Sequence, residues 1–133
     1  MTPAAKAEFA CAYALKYRGV GAKAIGRKRL AWDVITKSGV KVEVKHSALK
    51  HGRWSINVSP DQIAQADFLT VALTGWDGEH GAAQRMWVVL PMRLIKSPAR
   101  PLHWSWRSVI NKYSRYIGNW DLILRKERGR HAK

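Results

Sequence analysis

The amino-acid sequence predicts an α/β fold with a mixed central sheet flanked by helices, and three stretches carry that expectation. Residues 40–45 (VKVEVK) alternate strictly, sending Val40, Val42 and Val44 to one face of a strand and Lys41, Glu43 and Lys45 to the other. Residues 59–62 (SPDQ) open a helix: Ser59 caps it, Pro60 takes the first position and Gln62 completes a capping box. Residues 68–74 (FLTVALT) then read as a buried strand. Strands separated by a helix in this way suit a mixed sheet packed between helices.

Taken in order, residues 2–17 read as a helix, with Thr2 as N-cap and Pro3 at the first helical position. Ala4, Glu8, Cys11 and Leu15 recur at helical spacing, and Glu8 is the one charge on that stripe. Such an acid either stands at the stripe's edge in solvent or points inward at something positive. Residues 18–29 (RGVGAKAIGRKR) are expected to be a loop with some extended structure; they match neither a Walker pattern nor GxGxxG. Residues 33–45 predict a hairpin closed by Lys37, Ser38 and Gly39, with Gly39 in the left-handed position. A polar turn over 46–52, a third strand over 53–58, the short helix to residue 66 and the strand 68–74 follow. After a loop over 75–84, residues 86–90 form a fifth strand that Pro91 ends. Residues 96–104 read as a loop and 105–117 as a helix with an apolar stripe of Val109, Ile110, Tyr113, Tyr116 and Ile117. Residues 120–124 close the fold, leaving a basic, mobile tail. The expectation is one domain over 1–133, with its core in 2–92 and a basic helical extension over 93–133.

Composition narrows the class. The longest apolar run, 86–92, is far too short to span a bilayer, and the first residues lack the pattern of a signal peptide, so a cytoplasmic protein with no membrane partner is expected. A lone cysteine, Cys11, fits a reducing compartment and a small core residue. His46, His51, His80 and His103 are too scattered for a zinc site. The net charge of +15 predicts a polyanionic partner, nucleic acid before membrane. Residues 32–92 are electrically neutral, and the excess lies wholly in the flanks. Arg27, Lys28 and Arg29 are candidates for backbone contact with nucleic acid, as are His46, Lys50 and Arg53. Of the tryptophans, Trp54 and Trp87 are expected in the core; Trp76, Trp104 and Trp106 are candidates for DNA or dimer contact.

The hairpin carries the chemistry. Pairing Thr36 with Val40 across the three-residue turn sets Asp33 opposite Glu43. Two carboxylates facing each other at roughly 5 Å repel, a state tolerated when a cation lies between them or one acid holds a proton. Lys45 projects from the same face as Glu43. A solvated strand of alternating charge would show the same triplet, but not Asp33 across from it, Glu8 on the first helix and basic flanks on either side.

Glu8, then Asp33, then Glu43-Val44-Lys45 resembles the acid–x(n)–(D/E)-x-K signature of the PD-(D/E)XK nuclease superfamily, over roughly residues 4–74. Asp33 matches the first acid, although Trp32 replaces the proline of the motif's name; Glu43 and Lys45 match the second acid and the lysine. Glu8 matches the helical acid of several branches, and Gln62 or Gln65 a glutamine that some branches carry. The short basic chain is most similar to small Holliday-junction resolvases and to phage or restriction-type endonucleases. The resemblance implies a restriction-endonuclease-like αβββαβ core, a double-stranded or branched DNA substrate, and a homodimer with no small-molecule cofactor. It implies Mg²⁺ or Mn²⁺ held by Asp33, Glu43, the Val44 backbone carbonyl and Glu8 through water. Lys45 would orient the attacking water, stabilise the pentavalent state or act as a base. A non-catalytic nucleic-acid-binding module on the same fold and an RNA-directed nuclease are the alternatives.

Overall fold

The computed structural model describes residues 2–25, 33–75, 85–96 and 101–131. Arg27, Lys28, Arg29, Trp76 and His80 lie outside the described residues.

Helix α1 (Pro3–Tyr17) begins as its sequence dictates. Thr2 Oγ1 accepts the Ala5 amide at 3.1 Å, and Pro3 sits in the first turn, where a missing N–H is no loss. Ala7, Cys11 and Leu15 form its fully buried face, whereas Ala4 is exposed. The glycine-rich stretch then contains a short strand, β1 (Ala22–Ala24). Strands β2 (Val34–Thr36) and β3 (Lys41–Ala48) make the hairpin, and β3 runs three residues past Lys45. After β4 (Arg53–Ile56) comes α2 (Pro60–Gln65), opened by the predicted capping box: Ser59 Oγ takes the Gln62 amide and Gln62 Oε1 the Ser59 amide. Strands β5 (Phe68–Thr74) and β6 (Met86–Pro91) complete the central sheet.

That sheet has the order β1-β2-β3-β5-β6, with β3 and β5 parallel and every other pair antiparallel. Its layers explain the residue pattern of β3. Val40, Val42 and Val44 pack with Ala7, Cys11 and Leu15 of α1 on one face. Leu69, Val71, Leu73, Val88 and Leu90 pack on the other face with Trp54, Ile56 and Val109. Strand β5 is buried at all seven positions, as expected of a strand covered on both sides.

Several expectations for the rest of the chain need correction. The third predicted strand does not join the central sheet. It is β4, four residues long, and it pairs with β7 (Leu102–Ser105), a strand in the stretch read as a loop. Trp54 and Ile56 of β4 face inward while Arg53 and Ser55 face out, so the pair forms a second layer on the sheet. Trp104, opposite Trp54 in that pair, is only 3% exposed, which removes it from the candidate contact surface; Trp106 stays 45% exposed. Helix α3 (Trp106–Lys112) is shorter than predicted and gives way to a 3₁₀ turn at Ser114–Tyr116, so the stripe loses its phase and Ile110 faces solvent. The tail expected to be mobile is a helix, α4 (Asp121–His131). Trp120 and Ile123 dock on the α1 side of the sheet, and Glu127 is buried with them. Burying two such side chains is worth roughly 1.5–3 kcal/mol each, enough to order a segment whose composition alone reads as polar.

Candidate active site

The hairpin forms with the turn its spacing requires. Thr36 N–H donates to the Val40 carbonyl and Gly39 N–H to the Thr36 carbonyl, both at 3.0 Å, and Gly39 has φ 91°, a left-handed conformation glycine adopts without strain. Val34 pairs with Val42 and Ile35 with Lys41, which brings Asp33 to the level of Glu43. There β2 ends and the ladder changes character. The Asp33 amide donates to the Val42 carbonyl at 2.9 Å, and Asp33 Oδ2 accepts the Val44 amide, also at 2.9 Å. One residue therefore satisfies two backbone groups of β3 and keeps its second carboxylate oxygen for other use.

Glu43 is 2% exposed. Its Oε1 accepts from Gln62 Nε2 at 3.1 Å and lies 3.4 Å from Lys45 Nζ. Its Oε2 is buried and has no hydrogen-bond partner. Burial, followed by the adjoining Asp33 carboxyl, pushes the Glu43 pKa up to about 9, against the opposing pull of Lys45. The ion-pair distance to Lys45 and the raised pKa speak for opposite charge states. We give burial and Asp33 the greater weight, because Lys45 is a quarter exposed and its charge is shared with water.

Glu8 reaches this group from α1. It is half-buried, and burial together with the Asp33 carboxyl raises its pKa to about 7. Asp33 thus stands between two acids, one from the helix layer and one from the neighbouring strand. It does so from the residue just before β2, where its amide still bonds Val42 and its carbonyl accepts the Ile25 amide at 2.8 Å. Beneath the site, Thr70 Oγ1 donates to the Glu43 carbonyl at 3.3 Å and touches Cys11 Sγ at 3.7 Å. Burial pushes the Cys11 thiol up to about 12, so this cysteine is packing and not a nucleophile.

The fold is shared with a nuclease. A solved bacterial homing endonuclease, I-Ssp6803I, matches with a TM-score of 0.69 over 95% of this chain and 93% of that one, at 22% sequence identity. No protein-family model matches the chain, and no curated protein does.

The structure divides the remaining predicted residues. Gln62 is brought to Glu43, whereas Gln65, one helical turn on, is exposed. His46 follows Lys45 on β3 and so faces the opposite side, with Nε2 3.5 Å from Thr74 Oγ1; burial and then Arg85 lower its pKa. Lys50 and Arg53 flank a two-residue turn, His51-Gly52, in which both residues have positive φ. Both are exposed beyond the far end of β3 from the turn. Among the described residues no three His, Cys, Asp or Glu side chains close around one point as a ready metal cage, and the acids are linked pairwise through Asp33. The donors still fit a hard divalent cation: two carboxylates, the carbonyl of Val44 between Glu43 and Lys45, and a buried carboxylate oxygen with nothing bound to it.

Sequence reasoning missed one acid. Glu127 of α4 is 5% exposed, accepts the Ser38 amide at 3.0 Å through Oε1 and takes the Thr36 hydroxyl on Oε2. Its signal was present, since Trp120, Ile123 and Glu127 follow helical spacing from the closing element into the segment read as tail.

Proposed function

We propose that the chain is a divalent-metal-dependent DNA endonuclease of the PD-(D/E)XK type, hydrolysing phosphodiester bonds. The observation that carries this reading is Glu43: a buried strand carboxylate with one unpartnered oxygen, set beside a second acid and 3.4 Å from a lysine. A buried oxygen without a donor costs about 1–3 kcal/mol, and a cation bound between Glu43 and Asp33 would offset that cost.

Asp33, Glu43 and the Val44 carbonyl would hold Mg²⁺ or Mn²⁺. When bound, the ion supplies positive charge at the scissile phosphate and acidifies the attacking water. Gln62 fixes the orientation of Glu43 by donating to Oε1, as outer contacts do for ligating carboxylates. Lys45 presents an ammonium on the same face, where it stabilises charge building on the phosphate. Glu8 acts through Asp33, which it touches. The +15 net charge supports a nucleic-acid substrate, and the homing-endonuclease fold supports DNA over RNA. We further propose that residues 1–133 act as one nuclease domain and pair as a homodimer, so that two sites address opposite strands. The outer face of α1, with Phe9, Tyr13 and Tyr17 all more than half exposed, offers an apolar surface for pairing.

The test uses purified protein with supercoiled plasmid, a four-way junction and RNA, each with Mg²⁺ or EDTA. Plasmid nicking that EDTA abolishes is the expected result. Unchanged cleavage by Glu43→Ala or Lys45→Ala protein would defeat the site assignment. Preference for the junction would add structure selectivity, cleavage of RNA alone would favour an RNA-directed enzyme, and binding without cleavage would favour a non-catalytic module. Light scattering at working concentration reads the oligomeric state.

A further inference from the structure

We propose that Glu127 is a positioning residue for the acidic site, acting from the opposite end of the hairpin. The inference rests on the nuclease reading of Asp33 and Glu43. Whether Asp33 lies against Glu43 depends on the register of β2 on β3, and a hairpin's register is set by its turn. The segment Thr36-Lys37-Ser38-Gly39-Val40 could close in two ways. The observed three-residue loop pairs Thr36 with Val40; a two-residue loop at Ser38-Gly39 would pair Lys37 with Val40 and shift every partner by one. That shift would move Asp33 to the other face of the sheet, away from Glu43.

Glu127 holds the observed loop by three linked contacts. Its Oε1 accepts the Ser38 amide at 3.0 Å. Its Oε2 accepts the Thr36 hydroxyl, and the same hydroxyl oxygen accepts the Val40 amide at 2.9 Å. The Thr36 side chain can serve Val40 only in the three-residue form, because only there do the two residues face each other. The Ser38 hydroxyl adds a long contact, 3.5 Å, to the Glu127 carbonyl. A second tie lies beside the first: Asp67 Oδ2 accepts the Lys41 amide at 2.9 Å and faces Arg130 Nη2 at 3.4 Å. Helix α4 thus grips the closed end of the hairpin through Glu127 and Arg130, one turn of helix apart, while the open end presents the acids.

The test separates positioning from stability by measuring Mn²⁺ binding, followed by the electron paramagnetic resonance of the free ion, well below the melting temperature. Thr36→Val keeps the shape of the side chain and removes the hydroxyl; Glu127→Gln keeps the size and reverses one hydrogen bond. Both should weaken Mn²⁺ binding by roughly 10- to 100-fold, the range seen when an outer contact of a metal ligand is lost. Thr36→Ser should restore it. A lower melting temperature with a Mn²⁺ midpoint unchanged within twofold would overturn the proposal and leave Glu127 a stability residue. For the case in which a variant does not fold, amide exchange on the unmodified protein decides. The Val40 and Val44 amides should exchange together with α4; exchange of α4 while the hairpin stays protected would also overturn it. Failure of the underlying reading looks different: the parent would cleave no DNA with Mn²⁺, or Glu43→Ala protein would bind Mn²⁺ and cleave as well as the parent.

Discussion

Glu43 and Glu127 are the same residue type, comparably buried, at opposite ends of one hairpin. Each oxygen of Glu127 receives a hydrogen bond, Oε1 from the Ser38 amide and Oε2 from the Thr36 hydroxyl. Glu43 sits beside another acid, shares one oxygen between an amide and a lysine, and leaves the other without a donor. The first arrangement is what a fold selects when a buried charge serves stability. The second crowds two carboxyl groups in a buried place, which stability alone disfavours unless one of them holds a proton. Burial alone therefore does not separate the two glutamates, whereas the donors that reach their oxygens do.

The sharpest way to break the contrast is Glu43→Gln, which should lower DNA cleavage by at least ~10³-fold, comparable to losing a principal electrostatic group, as read by plasmid nicking under single-turnover conditions. Gln62→Ala removes only the orienting contact and should reduce cleavage or metal affinity by roughly 10- to 100-fold; no change in either would detach α2 from the site. Metal binding should also strengthen with pH. A cation can enter only as protons leave Glu43 and Glu8, whose pKa values lie near 9 and 7, so the Mn²⁺ midpoint should fall up to about tenfold per pH unit for each proton displaced across that window.

Stability gives the subtlest form of the contrast. Glu43 has a higher pKa in the folded chain than its ordinary value of 4.5, so the folded state holds the proton more tightly. Stability is then highest below pH 4.5 as far as this group is concerned, and it declines as pH rises towards 9, by at most ~1.4 kcal/mol per unit. Glu43→Gln should flatten that decline and raise the melting temperature at pH 8. Glu127→Gln should do the reverse, costing about 1–3 kcal/mol by disturbing a satisfied buried network. If both substitutions destabilise alike, the distinction between the two glutamates fails.

The hairpin was legible because its information is local. Strict alternation over 40–45 and a turn ending in Gly39 determine which residues face one another, and the structure pairs Val34 with Val42 as that spacing requires. The capping box of α2 was legible for the same reason. What the sequence hid depends on distant partners. Strand β4 alternates like any sheet strand, and nothing within 53–58 says that its partner is 102–105 and not β3. Helix α4 is so rich in Lys and Arg that the buried Ile123 and Glu127, with Trp120 just before the helix, are outnumbered. At the site, the facing of Asp33 and Glu43 followed from register, whereas the choice of Gln62 over Gln65 required knowing how α2 sits on the sheet.

Thr36 and Glu127 are separated by 91 positions in the chain. Synthesis at roughly 5–20 residues per second means that the hairpin emerges several seconds before the helix that grips its turn. Both acids of the candidate site are made before the helix proposed to hold them in register. On this scheme a nascent chain carries Asp33 and Glu43 out of their final register until α4 has been translated.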